Sequence, residues 1–364
     1  MNANEKALLL ELCKFKCPNI ERIKKLVSTG SITPSLLGNL IFNGVEGIAY
    51  EVLEKNGLAQ SINHKFIESL EKSFTVNERI ISDFTGVVNY LSEILNSFDL
   101  PYAFLGDTYM YKLYPNGCAV PRVFEILVRK EDVCKISTKL RLFGFRMEDN
   151  HGVGLNNRQN TSDDEKWVKN CKSLKFYKDI KLPYMKRLEV ELIFAIRSSN
   201  GAIFDTNSML LKSKTVCIKN TNIRTLEKSD AITCLCNRTY NNICDIRNVK
   251  QGIDMALYRF INLYVIFSEI IEEESLEIIK NAQKNDMIGE LVFCINITSE
   301  ILNIKFKTFT KYFETVGVDS TKKQLSYPIN DYDSRKSYKY TETDMKKLLF
   351  SKNRYNLLVE DAGE

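Results

Sequence analysis

The sequence contains little of several residue types, and each scarcity excludes a class of protein. It has 16 glycines and 7 prolines in 364 residues, which excludes a collagen-like or low-complexity chain. Its 51 lysines and arginines exceed its 46 aspartates and glutamates by a net charge of only +5, too little to predict binding to nucleic acid or a membrane surface. The longest uncharged apolar run, near 260–267, falls far short of the ~20 residues that span a bilayer. The composition therefore predicts a globular protein with no membrane partner.

Histidine is equally scarce, and this restricts the chemistry that side chains could perform. The only histidines are His64, in a predicted helix, and His151, in a predicted loop. A Ser–His or Cys–His nucleophilic pair would have to use one of them. The sequence therefore gives no support to that type of catalysis.

Cysteines are present but widely spaced. Ten occur along the chain, unlike the dense spacing of a small disulfide-rich secreted domain. Cys13 and Cys17 lie one helical turn apart, and Cys234 and Cys236 are separated by one residue, but neither pair has the further ligands that a structural zinc site needs. We interpret Cys13 and Cys17 as core thiols. Because the apolar stretch in residues 7–10 lacks the features of a secretory signal, the sequence predicts a cytoplasmic protein with reduced thiols.

Four regions follow one another along the chain. Apolar residues recur at helical spacing through residues 1–99, with one long helix or two predicted over Asn63–Phe98. Short strands alternate with helices through 100–225, helical periodicity returns over 226–318, and 319–364 is a polar tail with one short helix and a weakly structured end. The predicted fold class is α/β, in the α+β sense. Its core has a short mixed sheet, flanked by N-terminal and C-terminal helical regions.

A glycine turn lies near an acidic strand in the α/β region. Leu105, Gly106 and Asp107 join a predicted strand to a helix, and the free N–H groups at a helix N-terminus suit phosphate. Asp107 also suits the role of helix N-cap. The next strand is Val123–Val128, where period-two geometry separates Glu125 from the apolar face of Phe124, Ile126 and Val128.

A second acidic strand follows about sixty-five residues later. In Leu188–Phe194 the apolar residues share one face, and Glu189 and Glu191 share the other. Carboxylates on neighbouring strands beside a phosphate-binding turn are what metal-assisted phosphoryl transfer requires, because two divalent ions about 4 Å apart need several oxygen ligands. The alternative is that these glutamates lie on a solvated sheet face.

The order of these elements resembles the uncharacterised nucleotidyltransferase family of the DNA polymerase beta-like superfamily. The resemblance covers about residues 1 to 310 and rests on Leu105-Gly106, Tyr114-Pro115, Arg122, Glu125 to Val128, Phe143-Gly144-Phe145 and Val190-Glu191-Leu192. It implies a nucleotidyltransferase-like core. Glu125 and Glu191, with Glu189 as a substitute third ligand, would bind Mg²⁺ or Mn²⁺, and Gly106, Asp107 and Arg122 would contact the phosphates of a nucleoside triphosphate.

The sequence departs from the family pattern at several of these positions. The first acid of the family's Asp-x-Asp motif falls on Val123, which cannot bind a metal ion. The lysine before the turn glycine falls on Leu105, and the histidine frequent after the third acid falls on Ile193. Asp107 places a negative charge where a triphosphate would bind.

Two functions from different classes follow. The first is metal-dependent transfer of a nucleoside monophosphate from a nucleoside triphosphate to a small-molecule or peptide acceptor that the sequence leaves unidentified. The second is a pseudoenzyme that keeps the fold as a binding or scaffold protein. A lysine run at positions 169, 172, 175, 178 and 181, with aromatic neighbours, raises nucleic-acid binding as a third idea. A solvated loop or edge strand explains the run better, so nucleic acid is not a predicted partner.

Overall fold

The computed structural model of this chain describes residues 1–119, 123–148, 171–218, 221–315, 328–332 and 334–361. The chain divides into two compact units. The helical unit comprises Met1–Asn77, Gly117–Ala119 and Leu235–Glu364, and the sheet unit comprises Glu78–Asn116 and Val120–Cys234. The helical unit therefore contains helices from both ends of the chain. The predicted division into four consecutive regions remains a prediction.

The sheet unit is built on a seven-stranded sheet in the order β3-β4-β5-β2-β1-β7-β6. The β2–β5 and β1–β7 pairs are parallel and the remaining pairs are antiparallel, so the sheet is mixed. The predicted α+β fold class is confirmed. The strands are β1 (Tyr102–Phe104), β2 (Phe124–Val128), β3 (Arg146–Met147), β4 (Ser173–Asp179), β5 (Arg187–Ile193), β6 (Lys214–Ile218) and β7 (Thr221–Thr225).

The helices are numbered in chain order. Those before and within the sheet region are α1 (Ala3–Leu12), α2 (Ile20–Ser28), α3 (Pro34–Phe42), α4 (Glu46–Lys55), α5 (His64–Asn96), α6 (Gly106–Met110), α7 (Val133–Leu142) and α8 (Thr206–Leu211). Those that follow are α9 (Lys228–Ile243), α10 (Ile246–Gln251), α11 (Leu257–Phe267), α12 (Glu272–Lys284), α13 (Ile288–Leu302), α14 (Lys307–Thr315) and α15 (Met345–Phe350).

One face of the seven-stranded sheet forms the core of its unit. The apolar stripe that predicted one long helix or two lies on the single helix α5. Phe84 of this helix stacks on Phe124 of β2 with ring centroids 4.4 Å apart. Leu188, Val190 and Leu192 of β5 are buried on the same side. Because side chains alternate along a strand, the glutamates of β2 and β5 are turned to the opposite face.

The lysine run, which the sequence predicts to be a solvated loop or an edge strand, includes strand β4. It pairs with β3 on one side and β5 on the other, so it is an internal strand. Leu174 and Phe176 are buried in the core, and Lys175 between them is exposed. Alternation along the strand places Lys175 on the polar face, whereas Lys178 is on the core side, where its ammonium donates to the Tyr90 hydroxyl at 2.8 Å. The lysines of the run are therefore divided between the two faces of the sheet. Trp167 and Lys169, also part of that prediction, lie outside the described residues.

Local sequence signals explain how the helices of the helical unit begin. Asn2 and Glu5 form a reciprocal capping box at the start of α1, with the Glu5 amide donating to Asn2 Oδ1 at 2.9 Å. Thr33 caps α3, whose first residue is Pro34. Helix α11 is buried around almost its whole circumference, so it lies at the centre of the unit rather than on its surface.

The C-terminal segment is more ordered than the sequence predicts. In addition to the predicted helix, which is α15, it forms a three-stranded antiparallel sheet. The strands are β8 (Ile329–Asp331), β9 (Lys336–Tyr340) and β10 (Leu358–Glu360). Tyr340 and Arg354 are buried in this segment, so tertiary contacts rather than local apolar periodicity hold it in place.

Among the residues that the structure describes, none of the helices combines the length and the apolar character needed to cross a membrane.

Candidate functional site

Glu125 and Glu191 are register partners on the neighbouring parallel strands β2 and β5. Adjacent strands lie about 4.8 Å apart, and residues in register on parallel strands project from the same face. The structure therefore brings together the two carboxylates that the sequence places sixty-six positions apart.

The two carboxylates have different surroundings. Glu125 is 3% exposed, whereas Glu191 is half-buried. Ser173 of β4 donates its hydroxyl to Glu191 Oε1 at 2.5 Å. A short hydrogen bond to a carboxylate oxygen fixes the orientation of that side chain. Glu191 is therefore held in position, while its second oxygen makes no hydrogen bond within the described part of the chain.

Glu125 and Glu191 form a row of register partners across two strands, and Lys175 of β4 extends this row across a third. In the β4–β5 pair it lies directly opposite Glu191. The side chain is exposed and forms no ion pair with any residue that the structure describes. The polar face of the sheet thus carries a lysine, a glutamate and a second glutamate side by side on three consecutive strands.

Gly106 lies beside the other edge of this row. Its φ of +53° is in the left-handed region that glycine adopts readily, and α6 begins there directly after β1. The preceding amide, that of Leu105, donates to the carbonyl of Glu125 at 2.9 Å. The predicted glycine turn is therefore attached to the strand that carries Glu125. Helix α6 has five residues.

The remaining predicted site residues are Arg122, Asp107 and Glu189. Arg122 and the side chain of Asp107 lie outside the described part of the structure. Glu189 is exposed on the same face as Glu191, and Arg187 Nε lies 3.3 Å from Glu189 Oε1. Continuing the β2–β5 register by one residue places Val123 beside Glu189.

A single divalent ion fits this donor set better than two do. Mg²⁺ is usually bound by one or two carboxylates together with waters and substrate phosphates, and Glu125 and Glu191 supply that number. A two-ion site needs more shared oxygen ligands, and the aliphatic Val123 supplies none. Among the described residues there is no group of three or more histidine, cysteine, aspartate or glutamate side chains that could hold a metal ion.

The other sequence candidates have structural roles. Cys13 is buried, and burial raises the pKa of its thiol above the usual value, as expected of a core residue. The prediction that Cys17 is also a core thiol is wrong, since Cys17 is exposed beyond the end of α1. His64 is the first residue of α5, with Nδ1 3.8 Å from Glu68 Oε2. His151 lies outside the described residues.

Comparisons with known proteins give a similar solved structure but no family. No family model matches the chain, and no curated protein matches it. Among solved structures, it is similar to the crystal structure of an antigenic nucleotidyltransferase-like protein from Paracoccidioides brasiliensis. The identity is 13% and the TM-score 0.35, over 61% of this chain and 92% of that chain. A likeness of this size does not establish a family or an activity.

Sequence reasoning missed Ser173 and Lys175 as neighbours of the acidic pair. A short signal was present, because residues 173–176 alternate between polar and apolar side chains. The lysines at every third position obscured that alternation, since they suggested a solvated loop as readily as a strand.

Proposed function

We propose that the sheet unit is a nucleotidyltransferase-like core that binds a nucleoside triphosphate together with one divalent cation, Mg²⁺ or Mn²⁺. The observation that carries the proposal is the register of Glu125 with Glu191, on neighbouring strands and on the face opposite the core. Like charges in adjacent register repel each other. A cation that binds both carboxylates relieves this repulsion, so the pair favours metal binding.

Lys175 supports the phosphate part of the proposal. The lysine of the family pattern is absent at Leu105, but Lys175 supplies an ammonium group on the same face of the sheet. An ammonium that has no carboxylate partner can pair with a phosphate oxygen without first breaking an ion pair. We therefore assign Lys175 to the triphosphate, and Gly106 to the turn that lets the backbone approach it.

In this site each residue has a separate task. Glu125 and Glu191 bind the cation, and Ser173 keeps the Glu191 carboxylate in one orientation. When bound, the cation supplies positive charge that offsets the negative charge of the phosphates. The activity that we infer is transfer of a nucleoside monophosphate to an acceptor hydroxyl or similar group.

Val123 favours a second candidate function. A missing shared metal ligand costs several kcal/mol of transition-state stabilisation, and each ~1.36 kcal/mol lowers the rate tenfold. A site with Val123 at this position can keep nucleotide binding and lose transfer. The second candidate is therefore a nucleotidyltransferase-fold protein that binds a nucleotide without transferring it, as a regulatory or scaffold protein.

Calorimetric titration of the protein with each nucleoside triphosphate, with and without Mg²⁺, tests the binding proposal. We expect binding that requires Mg²⁺, is abolished in Glu125→Gln and Glu191→Gln, and is weakened in Lys175→Gln. Two exposed residues on or beside β4 provide matched controls, Asp179→Asn for the carboxylates and Lys181→Gln for the lysine. Unchanged binding in Glu125→Gln would remove that residue from the site.

A second measurement separates the two candidates. Incubation with an α-labelled nucleoside triphosphate and candidate acceptors detects a labelled product and pyrophosphate if transfer occurs. Metal-dependent binding without either product favours the binding protein over the transferase.

A further inference from the structure

A cavity of about 650 Å³ lies within the helical unit, outside the site described above. It is bordered by the start of α1, by α3, by the segment that precedes α11 and by the end of α15. Small-molecule sites in proteins commonly have volumes of about 300–1,000 Å³. The cavity is therefore large enough for a ligand of metabolite size.

Much of the cavity wall is apolar. Met255, Leu257 and Leu349 are buried residues of the wall, and Phe350 is half-buried. Phe42, on α3, also lines the cavity although its side chain is 72% exposed. Leaving a phenyl ring in water is unfavourable by roughly 25 cal/mol for each Å² of apolar surface. A ligand with an apolar or aromatic body would cover that ring.

The charged residues of the wall all have one sign. Lys6, Lys352 and Arg354 line the cavity, and no aspartate or glutamate is among the described residues that do so. Arg354 is neutralised by Asp254, to which it donates at 2.6 Å. Lys6 and Lys352 have no ion-pair partner in the described part of the chain. The Lys6 ammonium lies over the Phe350 ring, 5.2 Å from its centroid.

We propose that this cavity binds a small organic anion with an apolar or aromatic body. The body packs against Phe42, Phe350 and Leu257, and the anionic group pairs with Lys6 and Lys352. The juxtaposition of two unpaired ammonium groups with exposed and half-buried phenyl rings selects an anion over a cation or a sugar. This inference concerns the helical unit alone and does not depend on the proposed nucleotide site.

Gly38 allows the cavity to be filled without disturbing the core. It lines the cavity on α3, and a Cβ built at this position meets no atom within 4 Å. A phenylalanine side chain at this position occupies the cavity. Gly86 on α5 provides a matched control, because it is also exposed and its added Cβ also meets nothing within 4 Å.

Fluorescence titration with 8-anilinonaphthalene-1-sulfonate, an aromatic anion, tests the proposal on the full chain. We expect one saturable site that is lost in Gly38→Phe and retained in Gly86→Phe, both with unchanged thermal unfolding. Because a hydrogen bond to a charged group contributes ~1.5–3 kcal/mol, Lys6→Gln should weaken binding about tenfold. Lys280→Gln, at an exposed position away from the cavity, should not.

An uncharged analogue, N-phenyl-1-naphthylamine, separates the two parts of the proposal. Its binding should be lost in Gly38→Phe and unaffected by Lys6→Gln. The proposal is overturned if the wild-type protein shows no saturable site, if Gly38→Phe leaves binding unchanged, or if Lys6→Gln weakens both probes equally.

Discussion

The Arg354 guanidinium forms a two-point ion pair with the Asp254 carboxylate, with Nη2 2.6 Å from Oδ1 and Nε 3.0 Å from Oδ2. Asp254 is fully buried and Arg354 is 6% exposed. Tyr340 donates its hydroxyl to Asp254 Oδ2 at 3.0 Å, and Arg354 also donates to the carbonyls of Gly252 and Ser351. This network ties the C-terminal sheet to the segment before α11.

Removing one member of this pair should destabilise the helical unit strongly. In Arg354→Met the buried Asp254 carboxylate loses its counter-charge, and breaking a buried pair from one side costs about 3–5 kcal/mol. Urea unfolding of the wild type and variant measures the difference. The exposed pair between Lys336 and Glu360 provides the control, because Lys336→Met should leave the unfolding midpoint unchanged. Equal effects of the two variants would contradict the structural role of Arg354.

The Arg354–Asp254 pair could not be predicted from the sequence, whereas several helices and strands could. Periodicity predicted α5, β2 and β5, since each presents a stripe of apolar residues to the core and local spacing reports that stripe. It also predicted that Glu125 and Glu191 turn away from the core. The pairing of Arg354 with Asp254 joins positions one hundred residues apart and leaves no local pattern. For the same reason, the small C-terminal sheet was not predicted.

The backbone around Gly47 leaves no space for a side chain at this position. It lies on α4, and a Cβ at this position would be 2.0 Å from the carbonyl oxygen of Gly117. The same carbonyl accepts a hydrogen bond from Asn77 Nδ2 at 3.2 Å, so it is not free to move away. The helix and the Gly117 turn therefore meet through a position without a side chain.

Gly47→Ala should lower the free energy of unfolding by about 1–3 kcal/mol, because the extra carbon overpacks against backbone. Helix propensity alone predicts the opposite, a gain of up to about 1 kcal/mol. Gly38→Ala, also in a helix but with open space around the added Cβ, should show that gain. Urea unfolding of both variants decides between packing and propensity, and stabilisation in both would contradict the contact.

Stability should fall in alkaline solution. Burial raises the pKa of the Cys13 thiol well above its usual range and raises the pKa of Tyr264 to about 12. In the unfolded chain these groups ionise near pH 8.5 and 10. Above those values the unfolded state has released protons that the folded state retains, so the free energy of unfolding decreases as pH rises.

Urea unfolding at pH 7, 9 and 10 measures this dependence. A group that is neutral when folded and ionised when unfolded contributes a slope of at most about 1.4 kcal/mol for each pH unit. Cys13→Ala should therefore lose less stability than the wild type between pH 7 and pH 10. The exposed Cys217 of β6 provides the control for removing a thiol, and Cys217→Ala should keep the wild-type slope. An identical slope in Cys13→Ala would contradict the assignment.

Val123→Asp should strengthen cation binding, if the acidic pair is a metal site. Val123 immediately precedes β2 and is half-buried, so period two places it on the face of Glu125. A third carboxylate there adds a direct oxygen ligand, and calorimetry should show about tenfold tighter binding of Mn²⁺ in the presence of nucleotide. Val123→Asn has nearly the same shape without the charge, so it should gain much less. If aspartate gives no gain over asparagine, then Glu125 and Glu191 do not bind a cation at this position. If affinity rises and transfer of a nucleoside monophosphate becomes measurable only in Val123→Asp, the residue at 123 separates nucleotide binding from catalysis in this protein.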